Sequence, residues 1–295
     1  MTIYIASSKK HAGKIEEDIF IRDTYINKGI DSEITTLEKI TKKAKASDVV
    51  ILKSIWGYHR NYKKFLKQLT ILEKNNVKLI NDYVFIRWNI EKDKYLDDMK
   101  DFNIIPTLSL STKRFNTYSD LVDKLSNIGT LLNSNKLVIK PTISESGYLT
   151  YIYDTTKKNR LVINALKENQ SYNFIVQPYR SSISKGELSI IVINGKILYG
   201  VRRFPGIFQK KKNTEYLELN AIPTSIKRDI SVLRRFFNKK FGTLPKICRI
   251  DFLNNNMKYE ILEVELIDPD LFFRLIPETI LHKSIYKIVN NFLKR

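Results

Sequence analysis

Apolar runs and helical periodicities alternate along the first third of the chain. The pattern predicts short buried strands at residues 2–6, 48–53 and 77–81, and helices at residues 14–28 and 61–73. Strands that alternate with helices are typical of a parallel sheet covered by those helices. We therefore expect the chain to begin with an α/β domain.

The middle third predicts a second group of elements. Residues 91–103 have the pattern of a charged helix, and Pro106 marks the entry to a new strand and a domain boundary. Three further strands and one helix follow, the strands at residues 137–141, 150–153 and 174–177 and the helix near residues 161–168.

Two long β-hairpins dominate the chain after Gly186. One spans residues 187–204 and turns at Asn194-Gly195, a pair suited to a tight hairpin turn, and the other spans residues 246–267. An amphipathic helix through Ile280 and Ile288 closes the sequence. We expect three domains, at residues 1–104, 105–180 and 181–295.

The second hairpin carries charged residues two positions apart. Arg249 alternates with Asp251 on one strand and Glu263 with Glu265 on the next, so each pair projects from one face. Asp251 then lies directly opposite Glu263, on the same face, only if the loop around residues 254–256 holds an odd number of residues. Carboxylates gathered in this way suit a Mg²⁺ ion that carries phosphates. From these residues alone, a hairpin with a hydrated polar face is an equal alternative.

The formal net charge of +20 invites a nucleic-acid hypothesis. However, lysine outnumbers arginine 37 to 14, and the basic residues are scattered along the chain. Where they concentrate, at residues 224–241, apolar Ile226, Ile230, Leu233 and Phe237 form a helical stripe away from most of them. We interpret these residues as the hydrated basic face of a helix, and Gly242 as the residue that ends the helix. This pattern argues against nucleic-acid binding.

Cysteine usage and hydropathy exclude other classes of site. Cys248 is the single cysteine, which excludes an internal disulfide and a multi-cysteine zinc site. No apolar run is long enough to span a membrane, and residues 1–10 do not have the pattern of a signal peptide. We therefore expect a soluble protein of the cytoplasm, without a membrane partner.

A series of short motifs in a fixed order resembles the ATP-grasp superfamily. The motifs are Asp93-Lys94-Tyr95-Leu96, Val138-Ile139-Lys140-Pro141, Val176-Gln177-Pro178-Tyr179, Gly186-Glu187, Arg249-Ile250-Asp251 and Glu263-Val264-Glu265. Within the superfamily, the chain is similar to the branch of the cycloserine-forming ligase and the glutathione synthetase ATP-binding domain. Residues 54–59, 87–89 and 265–269 are similar to flanking signatures of that branch.

The resemblance implies an ATP-grasp fold, α/β at first and α+β in its C-terminal part. An N-terminal parallel-sheet domain would precede two sheet-bearing subdomains that bind the nucleotide between them. It also implies that Asp251, Glu263 and Glu265 hold one or two Mg²⁺ ions, with Mn²⁺ as an alternative. The implied nucleotide contacts are Lys140, Lys94 or Lys92, the loop residues Ser144, Ser146 and Gly147, the hinge residues Gln177, Pro178 and Tyr179, and Glu187.

Several basic residues have implied roles at the site or in a lid over it. Arg249 would stabilise the transferred phosphoryl group, with help from Lys140. Arg202 and Arg203, at the end of the preceding hairpin strand, would assist it or would only solvate the edge of that strand. Lys211 would cover the nucleotide from a loop at residues 208–216. From the residues alone, a disordered basic loop is slightly favoured over a lid role for any single lysine, and the 144–147 segment is equally a hairpin connection.

The implied reaction is an ATP-dependent ligation. A small amino-acid-like acid would be phosphorylated to an acyl phosphate, and an amine or other nitrogen nucleophile would then displace phosphate. The partners would be small acids and amines, and a homodimer is compatible with the sequence. The alternatives are a small-molecule kinase on the same fold and a non-catalytic module that binds nucleotides or polyanions.

Overall fold

The computed structural model describes residues 1–115, 117–204, 214–256 and 258–293. The chain divides into two compact units. Unit 1 comprises residues 1–89 and 183–295, and unit 2 comprises residues 90–182. The three predicted domains stay a prediction, and each unit is described by itself.

Unit 1 begins with a four-stranded parallel sheet, as predicted. Its strands in chain order are β1 (Ile3–Ser7), β2 (Ser32–Thr36), β3 (Val49–Leu52) and β4 (Lys78–Ile80), and they lie in the order β2-β1-β3-β4. The helices of this part are α1 (Glu16–Ile26), α2 (Leu37–Lys43), α3 (Tyr62–Lys74) and α4 (Tyr83–Asn89). Strand β2 and helices α2 and α4 were not predicted.

Unit 2 contains an antiparallel sheet with helices on one face. Its elements are α5 (Lys92–Asp98), β5 (Leu108–Ser111), α6 (Tyr118–Leu131), β6 (Lys136–Pro141), β7 (Tyr151–Asp154), α7 (Arg160–Glu168) and β8 (Asn173–Pro178). The strand order is β5-β8-β6-β7. The predicted helix at residues 91–103 is shorter than expected, because α5 ends at Asp98 and Met99 leaves the helical conformation.

The rest of unit 1 contains the two predicted hairpins in one five-stranded sheet. Its elements are β9 (Glu187–Ile193), β10 (Lys196–Arg203), β11 (Glu215–Leu217), α8 (Thr224–Phe241), β12 (Ile247–Asn255), β13 (Lys258–Glu265) and α9 (Glu278–Leu293). The strand order is β11-β10-β9-β12-β13. Asn194 and Gly195 have φ angles of 49° and 72°, the left-handed region that a two-residue hairpin turn requires.

Helix α8 has the predicted division between apolar and basic faces. Ile226, Ile230, Leu233 and Phe237 are all buried, and Gly242 ends the helix with a φ of 70°. Cys248 is also buried, and burial raises the pKa of its thiol. Among the described residues, no helix is both long enough and apolar enough to span a membrane.

Candidate active site

A β-bulge in strand β13 brings the predicted carboxylates to one face of the sheet. Asn255 pairs with Lys258 at the hairpin end, so the connection has two residues rather than the odd number expected. Between Asp251 and Phe252 the register shifts, and Leu262 is left without an opposite residue. This extra residue places Asp251 opposite Glu263 and Arg249 opposite Glu265. The predicted pairing is correct, but a bulge produces it instead of the loop.

Asp251 is buried on this face and bonded to three side chains. It is 1% exposed and accepts a hydrogen bond of 2.7 Å from Ser189 Oγ. Arg249 Nε lies 3.0 Å from its Oδ1, and Arg203 Nη2 lies 2.9 Å from its Oδ2. Burial acts to raise the pKa of Asp251, but the two arginines outweigh burial and hold the pKa at about 2. Asp251 is therefore a carboxylate at neutral pH.

Arg249 joins the two strands of the hairpin. Its side chain is 6% exposed, and its Nη2 lies 2.7 Å from Glu265 Oε1 on β13 and 3.0 Å from Asp251 Oδ2. Its guanidinium also lies over the ring of Phe272, 5.7 Å from the centroid. Burial alone would lower the pKa of Arg249, but the facing carboxylates raise it, so the residue stays cationic. A fixed cation of this kind can stabilise charge on a phosphoryl group.

Of the two arginines considered at the end of β10, Arg203 faces these carboxylates. Counting from the Asn194-Gly195 turn would place Arg202 opposite Glu187, but a register shift at Leu198 places Arg203 there. Arg203 Nη2 lies 2.6 Å from Glu187 Oε1. Arg202 lies on the alternate side of the strand, where its Nε is 3.2 Å from Glu215 Oε2.

Together, these side chains form what we call the arginine–carboxylate cluster, which consists of Glu187, Ser189, Arg203, Arg249, Asp251, Glu263 and Glu265. Burial raises the pKa of Glu187 to about 7, against the opposing effect of Arg203. Glu187 was predicted to contact the nucleotide, and in the structure its side chain contacts Arg203. Lys211, the predicted lid residue, lies outside the described residues.

The cluster fits Mg²⁺ in its chemistry but does not form a closed ligand set. Glu263 and Glu265 share a face, and oxygen donors are those that Mg²⁺ prefers. Among the described residues, however, no three His, Cys, Asp or Glu side chains converge as metal ligands. Both oxygens of Asp251 already contact arginine. Glu265 also contacts Arg249, through its Oε1. Glu263 and Glu265 stay the predicted ligands of the ion, with Asp251 already occupied by the arginines.

Unit 2 distinguishes the two candidate lysines of helix α5. Lys92 is 7% exposed, and its ammonium donates a 2.7 Å hydrogen bond to the carbonyl of Ser144, in the predicted phosphate loop. Lys94 is largely exposed and lies 2.8 Å from Glu91 Oε1. In the same loop, Ser146 and Gly147 have φ angles of 50° and 72°. Lys92 therefore contacts this loop through its side chain.

Lys140 lies on the face of the unit 2 sheet opposite to helices α6 and α7. Leu137 and Ile139 point into the core beneath those helices, so Lys140, one position on, points to the other face. Gln177 pairs in register with Val138 and shares this face with Lys140. Its Nε2 donates a 2.9 Å hydrogen bond to Thr107 Oγ1. Pro178 and Tyr179 follow, and the Tyr179 N–H donates to the carbonyl of Lys136.

Two buried asparagines to which the sequence analysis gave no role, Asn81 and Asn89, hold the hairpin of β12 and β13. Asn81 makes four hydrogen bonds, two with Ile247 and one each with Lys246 and Leu266. Asn89 donates to the carbonyl of Val264 and accepts from the N–H of Leu266, the residues on either side of Glu265. A polar side chain that directly follows an apolar strand, as Asn81 does, is the signal that could have identified it.

A buried ion pair beneath the segment after β13 was also missed. Lys53, at the end of β3, contacts Glu17 of α1 and donates a 2.6 Å hydrogen bond to the carbonyl of Pro269. Glu17 in turn accepts hydrogen bonds from the N–H groups of Leu271 and Phe273. This pair fixes residues 269–273, which carry Phe272 beneath Arg249.

Comparison with known proteins agrees with this architecture. Residues 111–237 match the family model of the ATP-grasp domain of prokaryotic glutathione synthetase. No curated protein matches the chain.

Solved structures match over almost the whole chain. The fold is similar to that of D-cycloserine synthetase DcsG, with a TM-score of 0.80 and 15% identity over 99% of this chain and 100% of that one. For the ATP-grasp ligase PsnB, solved with a minimal precursor, Mg and ADP, the TM-score is 0.62 at 12% identity over 98% of both chains. For D-alanine–D-alanine ligase from Bacillus anthracis, solved with ATP, it is 0.60 at 15% identity over 100% of this chain and 96% of that one. The chain therefore has the ATP-grasp fold that its motifs predicted, and its residues 111–237 are similar to the ATP-grasp domain of prokaryotic glutathione synthetase.

Proposed function

We propose that this protein is an ADP-forming ligase that joins a small amino-acid-like acid to an amine or another nitrogen nucleophile. The observation that carries the proposal is the arginine–carboxylate cluster, in which a buried, permanently charged Arg249 lies against carboxylates suited to Mg²⁺. The ATP-grasp fold supports the same conclusion, since DcsG is a synthetase and PsnB is a ligase by name.

Unit 1 would stabilise the charge that moves during the reaction. Arg249 is held by Asp251 and Glu265, so its guanidinium needs little reorganisation when negative charge develops nearby. Glu263 and Glu265 would hold Mg²⁺, which when bound neutralises phosphate charge. Arg203 contacts both Glu187 and Asp251, and its single positive charge offsets part of the negative charge on this face, which favours binding of a nucleotide.

Unit 2 would supply the cations and backbone groups that bind ATP. Lys140 and Lys92 would contact phosphate, and Ser144, Ser146 and Gly147 would offer backbone N–H groups to it. Gln177, Pro178 and Tyr179 would hold the adenine edge. Lys92 already contacts the loop of Ser144, so one movement of this loop would also move a lysine.

The chemistry requires no protein nucleophile. A carboxylate resists attack by an amine because its oxygen is a poor leaving group, and transfer of the γ-phosphoryl group to that oxygen gives an acyl phosphate and ADP. The amine nitrogen then forms the C–N bond, the C–O bond breaks, and phosphate leaves. The residues of the site contribute orientation, charge stabilisation and exclusion of water.

The test is a panel of small acids and amines incubated with ATP and Mg²⁺, with ADP and coupled product followed by mass spectrometry. At least one pair should give equal amounts of ADP and amide. Glu263→Gln and Asp251→Asn should each reduce turnover by about a hundredfold, the scale expected when transition-state stabilisation is lost. The exposed Glu218→Gln is the matched control and should leave turnover unchanged.

Two outcomes would contradict the proposal. Phosphorylated acid that accumulates without any amide would identify a kinase instead. Equal turnover by the parent protein and the Glu263→Gln and Asp251→Asn variants would show that the cluster is not the reaction centre.

A further inference from the structure

A cavity of about 480 Å³ opens in unit 1, beside the segment that follows β13. Its wall includes Glu16 from helix α1, Lys53 and Trp56 from the region after β3, and Asp270, Phe273 and Arg274 from the C-terminal segment. This volume is in the range of sites for small ligands. The residues proposed above to bind Mg²⁺ and ATP do not line this cavity, so the cavity has no ligand assigned to it.

A buried cation lies in the wall of this cavity. Lys53 is 3% exposed, and its ammonium contacts Glu17 and the carbonyl of Pro269. An ammonium group has three N–H donors, and these two contacts are its hydrogen bonds among the described residues. One donor therefore remains for an anionic group in the cavity.

The wall carries charges of both signs at its accessible end. Arg274 Nη1 lies 3.3 Å from Asp270 Oδ1 and 3.2 Å from Asp270 Oδ2, and both side chains are partly exposed. Glu16 adds a second exposed carboxylate. A ligand with a single charge would match some of these groups and be repelled by the others. A ligand that carries both charges can match both sets.

The cavity is connected to the arginine–carboxylate cluster through one aromatic ring. Arg249 lies 5.7 Å and Arg274 lies 5.3 Å from the centroid of Phe272. A ligand held by Arg274 would therefore be separated by this one ring from Arg249, the residue that we propose stabilises the transferred phosphoryl group. The Glu17–Lys53 pair fixes the segment that carries this ring.

We propose that this cavity binds a small zwitterionic acid of the amino-acid type, with its carboxylate at Lys53 and Arg274 and its ammonium at Asp270 and Glu16. Trp56 and Phe273 would flank the rest of the ligand. The inference rests on the proposed ligase function only in naming this zwitterion as the acid that is activated.

Binding is tested on the full chain without ATP or Mg²⁺, by ligand-observed NMR titration. The probes are D-alanine, L-alanine, D-serine and L-serine, with propionate and ethylamine as analogues that carry one charge each. At least one amino acid should bind saturably and about tenfold more tightly than both analogues, since each loses one set of charge contacts. Arg274→Gln should weaken that binding by about tenfold.

The matched control is Arg160→Gln, because Arg160 also lies over an aromatic ring, that of Tyr118, but outside the cavity. This variant should bind the amino acid as the parent does. If all four amino acids bind no more tightly than propionate or ethylamine, or if Arg274→Gln binds as tightly as the parent, the proposal is wrong.

Its failure can be told apart from failure of the ligase proposal. Amino-acid binding that depends on Arg274, in a protein that forms no amide, would retain the cavity site and reject the ligase. Amide formation that Arg274→Gln leaves unchanged would retain the ligase and reject the cavity site.

Discussion

Replacement of Asn81 should destabilise unit 1 severely, because one buried side chain satisfies four backbone hydrogen bonds. Asn81 is 1% exposed. Its Nδ2 donates to the carbonyls of Ile247 and Leu266, at 2.6 and 2.8 Å, and its Oδ1 accepts from the N–H groups of Lys246 and Ile247 at the same two distances. These groups lie where β12 begins and where β13 has just ended, so Asn81 holds the ends of the strands that carry Arg249 and Glu265.

The expected magnitude follows from the number of bonds lost. In Asn81→Asp the shape is kept and both accepted bonds survive, but the two donated bonds are lost and two carbonyls face a carboxylate. A buried polar group left without its partner costs about 1 to 3 kcal/mol, so the substitution should cost roughly 2 to 6 kcal/mol. Asn81→Leu loses all four bonds and should cost about 4 kcal/mol or more. Such losses are a large fraction of the stability of an ordinary domain.

The assay is urea unfolding followed by tryptophan fluorescence. Both tryptophans, Trp56 and Trp88, lie in unit 1, so their emission reports on the unit that contains Asn81. The exposed Asn220→Asp, in the same unit, is the control for the added charge and should change the free energy of unfolding by less than about 0.5 kcal/mol. If Asn81→Asp and Asn81→Leu unfold as the control does, the four bonds do not support the hairpin and our reasoning is refuted.

Three further predictions concern buried charges and the nucleotide. Burial raises the pKa of Asp18 from 3.8 to about 6, so the folded state holds the proton of this carboxyl more tightly than the unfolded state does. The free energy of unfolding therefore falls by roughly 3 kcal/mol as the pH rises between these two values. Asp18→Asn should remove this fall, as measured by urea unfolding at about pH 4 and pH 7. Glu17→Gln should lower the free energy of unfolding by about 3 kcal/mol, because buried Lys53 loses its charge partner. Lys92→Ala should weaken ATP binding, measured by calorimetry, by about tenfold, and Lys94→Ala by less than about twofold.

Each of these predictions has a control and a contrary result. The exposed Asp31→Asn should keep the pH dependence of the parent, and retention of the same dependence in Asp18→Asn would contradict the assignment. The exposed Glu16→Gln, one residue from Glu17, should leave stability unchanged, and a Glu17→Gln variant of equal stability would show that the buried pair is dispensable. Equal effects of the two lysine variants would show that the Ser144 contact does not select Lys92.

Much of the fold could be predicted from local pattern. The apolar runs of β1, β3 and β4, the stripe of Ile226, Ile230, Leu233 and Phe237 on α8, and the Asn194-Gly195 turn all lie within a residue or two of their predicted positions. Local pattern succeeds here because strand alternation, helical periodicity and turn conformation depend on neighbours in the sequence. It missed α6, although Thr117 and Asp120 form a capping box at its start.

The chemical content of the candidate site was also contained in the sequence. Asp251, Glu263, Glu265 and Arg249 were selected because charged residues two apart on a strand share a face. Which partner each one meets was not contained in it. A loop with an odd number of residues was expected to place Asp251 opposite Glu263, and Arg202 could not be distinguished from Arg203.

Tertiary structure decided those partners through two single-residue bulges. Leu262 shifts β13 so that Glu263 and Glu265 meet Asp251 and Arg249, and Leu198 shifts β10 so that Arg203 replaces Arg202 opposite Glu187. A shift of one residue exchanges the faces of a strand, so each bulge determines which charges belong to the cluster. The sequence by itself determined the strands, the helix faces and the charged residues. The position of a bulge depends on packing and hydrogen bonds with distant segments, such as those of Asn89 with Val264 and Leu266, so only the folded chain could decide it.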